Sequence, residues 1–185
     1  MRAFAGIVLV VLAVGAAKLL FPGADSTIAG SDIAAYEIRP GQGIGPVQIG
    51  MSRDEARRAM QATGQTVDTI DRGDPRQALV MQGNGFQAYF DASDRVHAVE
   101  VMRPYLDMHS IAGRPPFAAR LGDVDVFRTP ATHLVRIVSR VAPTDPHGED
   151  PGVTFEFPTI GLDLWREGIE DTPYFETVYV SRPRR

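Results

Sequence analysis

Residues 43–60 read GIGPVQIGMSRDEARRAM, and the fold turns on what Gly50-Met51-Ser52 is doing there. Ser52 supplies a hydroxyl immediately before a run of helix formers, and Glu55 follows three residues later. Such a pair satisfies two of the free backbone N–H groups of a helix start reciprocally. The stretch therefore predicts a short strand over Pro46 to Ile49 and a helix from about Arg53 to Ala62. The competing reading makes Ser52 a nucleophile. A working serine needs a general base within reach, and a nucleophile elbow usually has the form Gly-x-Ser-x-Gly rather than Gly-Met-Ser-Arg-Asp. The sequence favours the cap.

Working outward toward the C-terminus, a polar loop rich in Asp and Gly follows the helix. Then ALVMQGNGFQAYF and RVHAVEVM alternate apolar and polar residues around Asp91-Ala92-Ser93-Asp94, the pattern of a hairpin. Phe86, Ala88 and Phe90 share one face of its first strand. The second half has a similar grammar. VDVFRT reads as a strand, Thr129-Pro130 as an N-cap with proline at the first helical position, and ATHLVRIVSRV as a helix striped by Leu134, Val135, Ile137, Val138 and Val141. GVTFEF, GLDLW and FETVYVS then read as three short strands. Ser52 and Thr129 lie 77 residues apart, Tyr89-Phe90 and Leu164-Trp165 75 apart, and Arg103-Pro104 and Arg182-Pro183 79 apart. These offsets predict an α+β fold of two pseudo-repeated strand-helix-hairpin units, with an antiparallel sheet and helices packed on one face.

Toward the N-terminus, Met1-Arg2 precedes fifteen uncharged residues, Ala3 to Ala17, and then Lys18. That is an export segment: a signal peptide cut after Ala16 or Ala17, or a slightly short membrane anchor. Either way the body lies outside the cytoplasm. The expected organisation is signal or anchor over 1–22, linker over 23–40 leading into an edge strand at Ile33 to Ile38, and one domain over 41–183, with halves about 41–104 and 105–183. No cysteine occurs in the 185 residues, so stability must come from packing and no lipid can be attached to a cysteine. Without residues 1–22, which hold Arg2 and Lys18 and no acid, 17 basic side chains face 23 acidic ones, a net charge of −6. That balance argues against a nucleic-acid groove or an anionic-lipid patch and leaves the N-terminal segment as the only membrane contact.

The pattern IxPGxGIGxVxIGMSxxEAxxxM over Ile38 to Met60 resembles a motif of small bacterial envelope modules. These include outer-membrane assembly lipoproteins of the BamE/SmpA type and immunity-like proteins encoded beside secreted antibacterial toxins. TFEFPTIGLDLWREG and FETVYVS are similar to the closing hairpin of the immunity-like group. The missing lipidation cysteine, and Gly64-Gln65-Thr66 in place of Gly-x-Pro after the first helix, depart from the assembly lipoproteins. The resemblance implies a sheet packed by helices, a binding role, no cofactor and no catalytic residue.

Other chemistry is thin. His97, His109, His133 and His147 show neither HxH nor HxxxH spacing, so no metal site is expected. The loop TDPHGEDPG crowds Asp145, Glu149 and Asp150 but lacks EF-hand order, and reads as solvated rather than calcium-binding. Glu156, Asp163, Glu167, Glu170 and Asp171 surround Trp165 and could pair as acid and base only at a separation that sequence does not show. Alternation sets Trp165 on the face opposite Leu162 and Leu164, so one or the other is exposed. The closing segment combines aromatic anchors with an acidic rim, which suits a basic protein surface. The expected partner-binding residues are Trp165, Glu167, Glu170, Asp171, Tyr174, Phe175 and Glu176. The expected function is a non-catalytic, periplasmic immunity-type protein, with an envelope assembly factor or a small hydrolase as alternatives.

Overall fold

Strand pairing, rather than helix packing, organises the chain. The computed structural model describes residues 34–70, 78–81, 85–103, 117–145, 152–168 and 173–184. The expected signal or anchor at 1–22 lies outside them, as do His109, His147, Glu149, Asp150, Glu170 and Asp171. Strands β1 (Ala34–Arg39), β2 (Gly43–Ile44) and β3 (Val47–Gln48) precede helix α1 (Arg53–Gln61). Four strands follow: β4 (Val67–Ile70), β5 (Ala78–Met81), β6 (Phe86–Phe90) and β7 (Val96–Met102). Then come β8 (Phe117–Leu121), β9 (Val124–Asp125) and helix α2 (Ala131–Val138). The chain closes with β10 (Thr154–Phe157), a 3₁₀ turn at Pro158–Ile160, β11 (Leu162–Trp165) and β12 (Thr177–Ser181).

Two sheets result, a five-stranded one ordered β3-β2-β1-β8-β9 and a seven-stranded one ordered β10-β11-β12-β7-β6-β5-β4. Among the described residues all strand pairs are antiparallel except β1 with β8, which run parallel from Ala34 opposite Phe117 to Glu37 opposite Arg120. β2 and β3 lie against β7, and β2 also against β12. One continuous core joins both sheets and both helices. Phe86, Phe90, Phe117, Phe127, Phe157 and Phe175 are its largest fully buried side chains, together with Met60 of α1 and Leu134 of α2.

This architecture corrects the expected fold class. The molecule is mostly β, and its described residues hold only two short α-helices, which do not form a layer over one antiparallel sheet. The two halves are not equivalent units either: 41–104 gives four strands to the large sheet and two to the small, 105–183 gives three and two, and β1 lies ahead of both. The recurring offsets compared caps and turns, which recur in any chain rich in short elements, and did not report pairing. The strand expected at the sheet edge, β1, is the middle strand of its sheet, with Tyr36 and Ile38 buried. Part of the expected linker is thus core. The short strand expected at Pro46 to Ile49 is β3, Val47–Gln48, paired with β2 through the β2–β3 turn at Gly45-Pro46. That turn is held tight because Gly45, at φ +52°, lies where a methyl group would come within 2.6 Å of the Tyr36 ring.

The Gly-Met-Ser stretch is a docking joint. Gly50 N–H donates to the Val96 carbonyl and Val96 N–H returns to the Met51 carbonyl, so Ser52 forms an isolated bridge with Arg95. Ser52 then caps α1. Its backbone N–H and its hydroxyl both donate to Glu55 Oε2 at 2.8 Å, and the Glu55 N–H donates to Ser52 Oγ at 3.4 Å. Arg53 continues the joint, stacking 4.0 Å over the Phe90 ring and pairing with Asp94 at 2.7 Å.

Candidate functional site

Alternation along the large sheet separates two chemistries. The inner rows are apolar: Phe157, Leu162, Val180, Val99 and Ala88 in one, and Phe155, Leu164, Val178, Val101 and Phe86 in the next. Between them, pointing to the other face, register aligns Glu156, Asp163, Tyr179, Glu100 and Gln87 on five neighbouring strands, β10 to β6. The row continues through Val80 to the exposed Asp68 on β4. Four carboxylates and a tyrosine therefore share one line across the sheet.

The row is knit by specific contacts. The Tyr89 hydroxyl donates to the Glu100 carboxylate and lies 3.1 Å from Gln87 Oε1, and its ring sits 6.1 Å from that of Tyr179 and 6.4 Å from that of His97. At the β10 end two acids stand directly opposite each other, an arrangement that repels unless a cation intervenes. Arg184 supplies it, with Nη2 3.0 Å from Glu156 Oε2 and 3.6 Å from Asp163 Oδ1. Burial pushes the Asp163 carboxyl up to about 6; the Arg184 guanidinium opposes that rise and the Glu156 charge adds to it.

The expected partner-binding residues divide. Trp165 is half-buried on the same outer face, flanked by Thr154 and Thr177, while Leu162 and Leu164 are the core side of its strand. Glu167 is exposed and Tyr174 half-buried, with the Arg103 guanidinium 5.8 Å from the Tyr174 ring. Phe175 is fully buried against Phe155 at 5.6 Å, so it packs the core rather than presenting a surface. Burial, and then the neighbouring Glu167 charge, raise the Glu176 carboxyl above its ordinary range. Glu170 and Asp171 lie outside the described residues. Tyr89, Glu100 and Arg184 belong to the outer-face row and were not among the expected residues. The alternation in FQAYF put Tyr89 opposite Phe86 and Phe90, but only the register shows that Glu100 stands beside Tyr179.

Ser52 is engaged in its cap, and His133 is exposed on α2. Among the described residues no group of three or more His, Asp or Glu side chains is placed to hold a metal ion, and no helix is long and apolar enough to cross a membrane. No protein-family model, curated protein or solved structure matches the chain.

Proposed function

We propose that this chain is an exported, non-catalytic module that binds a basic protein surface in the periplasm, as an immunity-type protein occupying a secreted toxin. The observation that carries the reading is the outer-face row of Glu156, Asp163, Glu100 and Asp68 interleaved with Tyr179 and Tyr89. Tyrosines offer large, stiff contact area with a polar tip, and carboxylates around them steer and orient a cationic partner. Trp165 extends the same surface, and the exposed Glu167 together with Glu170 and Asp171 lies close to it in sequence. The net charge of −6 beyond residue 22 adds long-range attraction of the same sign. The motif resemblance at Ile38 to Met60 supplies the immunity-type part of the proposal.

Deleting the gene and challenging the cells with toxin-delivering siblings tests it. Sensitivity, restored by the wild-type chain and restored poorly by a Glu100→Lys variant of normal melting temperature, is expected. Mutants that resist every sibling yet leak periplasmic contents would overturn the immunity reading in favour of envelope assembly.

A further inference from the structure

The residues that follow strand β12 do more than end it. Three contacts fix them. The Arg184 N–H donates to the Pro158 carbonyl at 2.8 Å, tying the tail to the 3₁₀ turn between β10 and β11. Pro183 lies against Gly41 in the β1–β2 turn of the small sheet: a methyl group at Gly41 would sit 3.0 Å from Pro183 Cγ and 3.1 Å from the Ile160 carbonyl oxygen. The Arg184 side chain reaches across to Glu156 and Asp163. Tail, small-sheet turn and large-sheet turn thus meet at one place.

We propose that Arg182-Pro183-Arg184 is a strap that joins the two sheets, latches over the Glu156–Asp163 pair and opens in acid. Holding a long arginine in one geometry costs rotamer entropy that its partners must offset. Two facing carboxylates supply that attraction. The groups around Asp163 are Arg184 from the tail, Glu156 from β10, and Tyr179 from β12 with Glu100 beyond it. Because burial pushes the Asp163 carboxyl up to about 6, mild acid protonates it and weakens the attraction that holds the guanidinium. Closing the strap favours the ionised pair, so by linkage proton uptake favours opening.

The same titration acts on global stability with the opposite sign. A carboxyl raised above its unfolded value contributes stability that is complete below that value and lost as pH rises through about 6. Acid therefore opens the strap while relieving the cost of burying Asp163, which separates strap opening from unfolding.

Hydrogen exchange in the full chain at pH 7.5 and pH 5, expressed as protection factors, provides the test. The Arg184 amide should show a roughly two- to fivefold rise in opening at pH 5, the size expected of a partly exposed ion pair. The Ser181 amide, bonded to the Gly161 carbonyl at 3.0 Å, should not change. Asp163→Asn should already be open at pH 7.5 and lose the pH response. Should that variant fold poorly, Arg184→Gln on the exposed tail gives an independent reading: the Asp163 carboxyl, followed by NMR, must titrate higher than in the wild type. An Arg184 amide equally protected at both pH values, an undiminished pH response in Asp163→Asn, or an Asp163 titration unmoved by Arg184→Gln would overturn the proposal.

Discussion

Helices α1 and α2 both start beside an isolated bridge to the residues leading into a central strand. Ser52 pairs with Arg95 ahead of β7, Pro130 pairs with Tyr174 ahead of β12, and β7 and β12 are neighbours. The two starts are nevertheless built differently. At α1 the side chains of Ser52 and Glu55 satisfy the helix end reciprocally. At α2 the cap position is Pro130, no side chain caps, and the Ala131 N–H instead donates to the Pro173 carbonyl at 2.7 Å. Thr129, expected as the cap, bonds back through its N–H to the Asp125 carbonyl. One helix end is written locally; the other is completed by Pro173, in the segment leading into β12 and more than forty residues further along the chain.

The largest effects should be blind to this difference. Met60→Ala on α1 and Leu134→Ala on α2 each remove a fully buried side chain from the same core, and each should cost about 2–5 kcal/mol in urea unfolding. A loss confined to one of them, with the other near neutral, would break the picture of one core serving both helices. Smaller changes should separate the two starts. Ser52→Ala should cost about 1 kcal/mol, whereas Thr129→Ala should stay within about 0.5 kcal/mol. Equal costs would show that α2 has a side-chain cap after all.

The smallest effects are those of pH. Hydrogen bonds from the Ser52 backbone and side chain hold the Glu55 carboxyl below its ordinary range. Its contribution is therefore present above the unfolded value and lost as pH falls through the folded one. Ser52→Ala should raise the Glu55 titration seen by NMR, and an unchanged value would remove the capping box from the account. Near the second helix start Glu176 is raised, first by burial. Its contribution runs the other way, complete in acid and fading as pH rises. Glu176→Gln should leave unfolding at pH 7 unchanged or slightly strengthened, and a marked weakening would mean that the Glu167 backbone N–H and the Arg103 charge outweigh the cost of burial.

What could be read from sequence follows the same division. The α1 cap, the alternation of β6 and β7 and the three closing strands are local signals, and they lie close to where the sequence puts them. The β1–β8 pairing sets Ala34 to Glu37 against a strand that carries no turn signal pointing back to it. β4 read as a loop because only Val67 of its four residues is buried. The two-residue strands are too short for any period to show. Sequence proximity could gather Trp165, Tyr174 and their acids, but the line through Glu156, Asp163, Tyr179 and Glu100 joins three stretches of chain and is set by register alone.

The parallel pair β1–β8 also bears on how fast the molecule forms. Antiparallel neighbours such as β6 and β7 can close through a short turn, but Ala34 must find Phe117 after everything between them has been made. Loop closure on that scale must precede its reward, and non-local pairings of this kind belong to chains that fold in milliseconds to seconds rather than microseconds. During synthesis from its N-terminus the chain exposes β1, with Tyr36 and Ile38 uncovered, until β8 has been made. That interval is when the protein is most open to aggregation or to a chaperone.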